Sequence, residues 1–190
     1  MAEFGLSKVA AKLGVRTPSL YHHFTGKDEL LAEVARLVLL SGKLPRITPD
    51  IDWREEIVRI SLNSWRSVQQ HPHAAPLLLQ FFPRTLLMGA YDYWMHVLDA
   101  AGVPKNWHMT ILEGSEKLTF GSAIFAASSR SLGVSPYGDL DAEKLPYLVA
   151  AHAAHTLSDE ETFLATLTAY LDGLPLEKDP GETLHAASAG

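Results

Sequence analysis

The 190-residue sequence contains no cysteine, so it offers no disulfide framework and no thiolate for metal binding or redox chemistry. Long apolar runs are also missing: none approaches the roughly 20 residues that a transmembrane helix needs, and Met1 is not followed by a basic and then apolar leader. Hydrophobic residues make up 47% and charged residues 20%, a composition typical of a packed globular domain. These features predict a cytoplasmic protein that does not interact with a membrane.

Sequence patterns for catalysis are equally scarce. The chain has no glycine-rich phosphate loop, nucleophile elbow or kinase motif. Two histidine pairs could suggest a metal site, but they lack the HExxH context and no spacing fixes a third carboxylate. The pairs are His71 with His73, and His152 with His155 near Asp159. The sequence therefore predicts no enzyme, no catalytic residue, no metal and no cofactor.

The charge distribution is uneven. The net charge of −6 is unfavourable for a nucleic-acid ligand, but residues 1–27 carry +3 while residues 28–190 carry −9. The charged side chains of the first segment are Glu3, Lys8, Lys12, Arg16 and Lys27. Only this N-terminal segment has the charge to meet phosphate groups.

Three short helices are predicted at the N-terminus. The first spans Leu6–Leu13 and ends at Gly14, Thr17 can cap the second, and the third runs from Lys27 to about Leu40. The first two have the arrangement of a helix-turn-helix, in which one helix braces the next so that its first residues enter the major groove of DNA. An apolar hinge is expected from Val9, Leu13, Val15 and Leu20.

Apolar periodicity predicts further helices beyond a glycine- and proline-containing boundary at residues 41–52. They are placed roughly at Trp53–Gln70, His73–Phe82, Arg84–Ala101, Pro104–Ser129 and Leu145–Leu174, the last interrupted near residues 157–159. No segment alternates as a strand would. The fold class is therefore all-α, with an N-terminal helix-turn-helix module followed by a larger helical bundle.

Three segments follow from this pattern. Residues 1–43 are predicted to form a helix-turn-helix DNA-binding domain, residues 44–175 a helical regulatory domain for ligand binding and dimerisation, and residues 176–190 a flexible tail.

The segment Val9–Leu31 reads VAAKLGVRTPSLYHHFTGKDELL. It combines a Leu-Gly-Val turn, a Leu-Tyr-x-His-Phe helix and a following Lys-x-x-Leu-Leu, a more restrictive pattern than a generic helix-turn-helix. In these residues the chain resembles the DNA-binding motif of TetR-family regulators. Family members usually have a full helix before this motif, whereas residues 2–5 look like only its last turn, so that first helix is expected to be mostly missing.

The resemblance implies a set of DNA contacts. Base edges would be approached by Thr17, Pro18, Ser19 and His22. The phosphate backbone would be contacted by Tyr21, His23 and Lys27, with Lys8 assisting from the preceding helix. Short hydroxyl side chains discriminate weakly between bases, and a proline can make apolar contact with a thymine methyl group.

The resemblance also implies a small-molecule effector of unknown identity. Aromatic side chains with a few polar tips would line its cavity. The candidates are Trp65, Phe82, Tyr91, Trp94, His96 and His108. Ordinary core packing is the alternative for each of them.

Homodimerisation is expected through the helices around residues 104–129 and 159–174. The first carries small residues every seven positions, which permit close helix approach, and the second carries a leucine stripe. The small residues are Gly114, Gly121 and Ser128, and the leucines are Leu164, Leu167, Leu171 and Leu174. Together they could build a four-helix interface between two copies, or they could pack within one chain.

These observations favour a transcriptional regulator, most simply a repressor that leaves double-stranded operator DNA when its effector binds. An activator is equally compatible with the sequence. The alternative is a helical dimeric ligand sensor or interaction protein whose helix-turn-helix does not bind DNA.

Overall fold

The computed structural model describes residues 5–39, 51–72, 84–132 and 137–180, together with Ala75, Leu78 and Phe82. Within these ranges the chain forms eight helices and no strand, so the all-α prediction is confirmed. The helices are α1 (Leu6–Leu13), α2 (Thr17–Tyr21), α3 (Lys27–Leu39), α4 (Trp53–Gln70), α5 (Arg84–Ala100), α6 (Lys105–Leu132), α7 (Pro146–Ala154) and α8 (Asp159–Asp172). None of the helices in this part of the chain is both long and apolar enough to cross a bilayer.

The break in the last predicted helix is present at residues 155–158, between α7 and α8. Ser158 causes it by capping α8: its hydroxyl accepts from the Glu161 N–H, and the Glu161 carboxylate accepts from the Ser158 N–H at 2.8 Å. This reciprocal capping box starts a new helix. The predicted helix His73–Phe82 and the predicted boundary after residue 43 lie largely outside the described residues.

The main hydrophobic core lies between α4, α5, α6 and α8. Leu167 and Leu171 of α8 are almost completely buried in it, with 0% and 1% of their surface exposed. Of the two interpretations of the leucine stripe, the structure shows packing within one chain. These leucines therefore do not supply a dimer interface.

Gly114 of α6 also faces α8 within the same chain. A Cβ atom at this position would overlap the ring of Tyr170, whose hydroxyl donates to the Thr110 carbonyl at 2.8 Å. Nothing lies within 4 Å of a Cβ built at Gly121, about two helical turns further along α6. In the strip of small residues, Gly114 therefore makes a close contact within the chain, whereas the space above Gly121 is free.

The start of the predicted tail is attached to α6. The Trp107 indole N–H donates to the Lys178 carbonyl at 2.7 Å, and the Asn106 amide donates to Asp179 at 3.0 Å. Residues 181–190 lie outside the described part of the chain.

Helix α3 connects the helix-turn-helix to the bundle. Its Ala35 and Val38 are buried in the same core cluster as Ile57 of α4 and Leu87 of α5. These side chains belong to one close-packed unit, so α3 packs directly against α4 and α5.

Candidate nucleic-acid interface and ligand cavity

The turn between α1 and α2 depends on Gly14. Its φ of 69° lies in the left-handed region, which costs an L-residue about 1–2 kcal/mol and glycine almost nothing. The Val15 N–H donates to the Ala10 carbonyl at 3.0 Å, and the Gly14 N–H donates to Ala11 at 3.2 Å. These bonds close the end of α1 and turn the chain into α2.

Helix α2 begins without a side-chain cap. Arg16, in extended conformation, is the capping residue and Thr17 is the first helical residue, so the prediction that Thr17 caps α2 is wrong. Pro18 lies within the first turn, where its missing N–H leaves no intrahelical bond unmade. Leu20 is only 8% exposed and anchors the helix from below.

The small core under α2 is narrower than the predicted hinge. Ala10 and Leu20 are buried and Val9 is half-buried, but Leu13 and Val15 are 63% and 43% exposed. The prediction that Leu13 and Val15 belong to an apolar hinge is therefore wrong for the described residues.

The opposite side of α2 faces solvent. Of the eight residues predicted to contact DNA, seven are exposed and Thr17 is half-buried. The exposed residues are Lys8, Pro18, Ser19, Tyr21, His22, His23 and Lys27. The predicted contacts thus lie on α2, on the residues that follow it and on its two neighbouring helices, and Lys12 and Arg16 are exposed as well.

The connection from α2 to α3 is held by Thr25. Its N–H and its hydroxyl both donate to one carboxylate oxygen of Glu29, at 2.5 and 2.6 Å. The hydroxyl bond and then the backbone bond lower the pKa of Glu29 below its usual value. This contact fixes the turn that precedes Lys27. The start of α3 at Lys27 is confirmed, whereas the contact between Thr25 and Glu29 was not predicted from the sequence.

A cavity of about 110 Å³, open on one side, lies between α4, α5 and α6. Its apolar walls include Ile57, Ile60, Leu87, Trp94, Leu98 and Ile111. Its polar groups are Ser61, Ser64, Tyr91, Ser115, Glu116 and Thr119. A mostly apolar concavity with a few convergent polar groups is the usual form of a small-molecule site.

Glu116 is the centre of the polar groups. The Tyr91 hydroxyl donates to its Oε1 at 2.5 Å, and Nη2 of Arg84 lies 3.3 Å from its Oε2. Burial, and then the bond to Glu116, raise the pKa of Tyr91 well above its usual value, so this phenol stays protonated and keeps donating.

Two hydroxyl groups of the cavity are buried without a hydrogen-bond partner, those of Ser115 and Thr119. They lie on a stripe of α6 in which every fourth residue is buried. The stripe is Ile111, Ser115, Thr119, Ala123 and Ala127. Sequence reasoning missed these residues, although two hydroxyls in register with buried apolar positions were the available signal.

Residues 1–34 match the family model of bacterial regulatory proteins of the tetR family. A protein from Streptomyces coelicolor A3(2) described as a transcriptional regulator is 26% identical, with a TM-score of 0.63 over 90% of this chain and 86% of that one. These similarities support a DNA-binding transcriptional regulator of the TetR type. The N-terminal resemblance is thereby confirmed over residues 1–34.

Two further solved structures share the fold of this regulator. A possible TetR-family transcriptional regulator from S. coelicolor A3(2) is 21% identical, with a TM-score of 0.65 and 89% of each chain covered. A TetR variant from Acinetobacter baumannii AYE in complex with minocycline is also 21% identical, with a TM-score of 0.60 over 88% of this chain and 82% of that one. No curated protein sequence matches the regulator.

Two of the six predicted ligand residues, Tyr91 and Trp94, line the cavity of the regulator. Phe82 does not line it but packs edge-on against Phe120, which does, with ring centroids 5.2 Å apart. Ligand binding by these side chains stays a prediction.

The structure places the other three predicted ligand residues away from the cavity. Trp65 stacks on Phe163 at 6.0 Å, on the α8 side of α4. His108 is buried, with its Nε2 2.8 Å from the Val103 carbonyl, and His96 is exposed. The rings of Trp65 and His108 are therefore packed inside the protein, and the ring of His96 faces solvent.

The histidine pairs form no ligand cluster within the described ranges, where no three of His, Cys, Asp and Glu are grouped to hold a metal ion. His152 packs edge-on against Tyr137, and Nε2 of His155 lies 3.3 Å from the Thr162 hydroxyl. His73 lies outside these ranges.

Proposed function

We propose that this regulator is a homodimeric repressor that binds double-stranded operator DNA through α2 and is released by a small-molecule effector held between α4, α5 and α6. The observation that carries the proposal is the two-sided character of α2, which is anchored by buried Leu20 and exposes its polar side chains to solvent. Such a regulator acts on DNA in the cytoplasm.

The charge around α2 supports DNA binding. Lys8, Lys12, Arg16 and Lys27 are exposed on the elements that flank it. Positive side chains on both sides of a recognition helix can meet phosphates across a groove about 12 Å wide while the helix reaches base edges. The remainder of the chain is acidic, which favours approach to DNA by this end alone.

Dimerisation follows from the size of the contact. One helix of five residues reads only a few base pairs, so useful affinity requires two recognition helices about 34 Å or a multiple of this distance apart. The outer face of α6 offers a surface for pairing: Phe125 is 79% exposed, and Gly121, one turn earlier, has open space above it. We therefore place the interface on the outer faces of α6 and α8.

The dimer proposal predicts that Phe125→Glu shifts the protein towards monomer, because a charge placed in an apolar interface is desolvated without a partner. Met88→Glu is the matched control, since Met88 on α5 is also exposed, at 62%. Sedimentation velocity measures both variants. An unchanged dimer in Phe125→Glu would place the interface elsewhere.

Effector control is supported by the packing between the cavity and α3. Ile57 and Leu87 line the cavity and also belong to the core cluster that holds Ala35 and Val38 of α3. A ligand that shifts α4 or α5 would change the angle of α3, and with it the distance between the two copies of α2. The minocycline complex of a fold relative supports a small molecule as the effector.

The test of DNA binding compares two tyrosine substitutions. Tyr21→Ala should weaken binding to the intergenic DNA beside the gene at least tenfold, because Tyr21 is exposed on α2 and would contact the phosphate backbone. Tyr147→Ala, on α7, removes an even more exposed ring, at 91%, and should change nothing. Fluorescence anisotropy gives both dissociation constants. Equal values would contradict the contact proposed for Tyr21, whereas no binding by the unmodified chain would support the non-DNA-binding sensor instead.

Operator preference should respond to different residues. Replacing Thr17 or Ser19 should alter the ranking among operator variants, whereas Lys27→Ala should lower affinity for all of them.

A further inference from the structure

The cavity contains side-chain hydroxyl groups that form no hydrogen bond within the protein. Ser115 and Thr119 are 6% and 2% exposed, and neither hydroxyl has a partner. A buried hydroxyl without a partner is costly, and such groups are rare in folded proteins. Both lie on the α6 wall one helical turn apart, so a ligand atom between them could bond to both.

Glu116, the neighbour of Ser115 in sequence, determines which ligand group fits. Its Oε1 is occupied by the Tyr91 hydroxyl, whereas its buried Oε2 has only the Arg84 ion pair and no hydrogen bond of normal geometry. A carboxylate oxygen accepts and cannot donate. Glu116 lines the cavity and Arg84 does not, so the charge presented to a ligand is negative.

The cavity walls determine the polarity and the size of the rest of the ligand. They are mostly aliphatic and aromatic, and the cavity volume is about 110 Å³. An apolar protein cavity of about 150 Å³ holds a benzene molecule, so the present one has the scale of a single small ring or a short branched chain.

We infer that the cavity takes a small, largely apolar molecule with one hydrogen-bond-donating end, a hydroxyl or an amino group, which donates to Glu116 and bonds to the hydroxyls of Ser115 and Thr119. The inference rests on the proposed function, since it names the chemical class of the effector for the same cavity. It excludes ligands that present a carboxylate to this wall, because that charge would lie against Glu116.

The test uses four ring compounds of similar size: phenol, aniline, toluene and benzoate. Each is titrated into the full chain without DNA while the indole N–H signals are followed by NMR, since Trp94 lines the cavity. Phenol and aniline should bind about tenfold more tightly than toluene, the gain expected from hydrogen bonds to otherwise unpaired buried groups. Benzoate should bind most weakly. Equal binding of toluene and phenol, or tightest binding of benzoate, would overturn the inference.

Thr119→Val is the decisive variant because it keeps the shape of the side chain and removes the hydroxyl. The advantage of phenol over toluene should shrink, and the melting temperature without ligand should rise because an unpaired buried group is lost. Thr85→Val, at an exposed position of α5 outside the cavity, should change neither quantity. A lower melting temperature together with an unchanged phenol preference would show that the Thr119 hydroxyl serves the fold and not a ligand.

Glu116→Gln tests the charge separately. The penalty on benzoate relative to toluene should fall about tenfold, since the amide is neutral and can donate. An unchanged penalty would contradict the role given to Glu116. Because these titrations contain no DNA, a ligand that binds as expected but does not release the operator would overturn the proposed effector control and leave the ligand class standing.

Discussion

Gly14 is the residue on which the geometry of the helix-turn-helix depends most directly, and Gly14→Ala tests this. No atom lies within 4 Å of a Cβ built at this position, so the substitution introduces no clash. The cost is conformational: at φ 69° an L-residue is disfavoured by about 1–2 kcal/mol. Alanine also lowers the conformational entropy of the unfolded chain, which stabilises the folded state by about 0.4–1 kcal/mol.

The net loss at Gly14→Ala is therefore about 1 kcal/mol, or about 2–4 °C in melting temperature for a domain of this size. Circular dichroism at 222 nm during heating measures it. Gly89→Ala is the matched control, because Gly89 lies inside α5 and also has nothing within 4 Å of its Cβ position. That variant should gain about 0.5–1 kcal/mol. If both variants gained stability, the reasoning about the turn would be refuted.

Three other positions give independent tests. Ser158→Ala removes the capping box of α8 and should cost about 1 kcal/mol of unfolding free energy, measured by urea denaturation, with Thr85→Ala on α5 as an exposed control. Leu167→Ala empties a fully buried site in the core and should cost about 2–5 kcal/mol in the same assay; a loss below 1 kcal/mol would show that α8 is not packed as described. Burial and then Glu116 raise the pKa of Tyr91 above its ordinary value of 10.0, so the stability due to protonated Tyr91 is present below pH 10 and lost as the pH rises above it. Absorbance at 295 nm should show a late-titrating tyrosine that disappears in Tyr91→Phe, and an unchanged titration curve in that variant would contradict the assignment.

The helix positions could be predicted from the sequence because they rest on local signals. Apolar periodicity gave α4 with both ends correct, and Gly14 marked the end of α1. The break before α8 was predicted at residues 157–159 and lies at residues 155–158. Each of these depends on residues within one or two turns of each other.

The contacts between helices could not be predicted in the same way. Whether Leu167 and Leu171 meet another copy or the same chain depends on how α8 packs against α4 and α6, and periodicity shows only that one face is apolar. For the same reason the sequence could not show which aromatic residues line the cavity: Trp65 is aromatic and buried, but its side of α4 faces α8. The aromatic residues of the sequence led to the prediction of a cavity, whereas its unpaired hydroxyl groups come from Ser115 and Thr119 of α6.

The most direct test of the central claim is the affinity of the purified chain for the intergenic DNA beside its gene, measured against a scrambled duplex of equal length at 50 and 200 mM salt. We expect saturable binding that prefers the intergenic duplex and weakens more than about a hundredfold across this salt range, because the exposed lysines and Arg16 around α2 would contact phosphates. Equal affinity for the two duplexes, or no binding at 50 mM salt, would contradict a role for α2 in reading DNA.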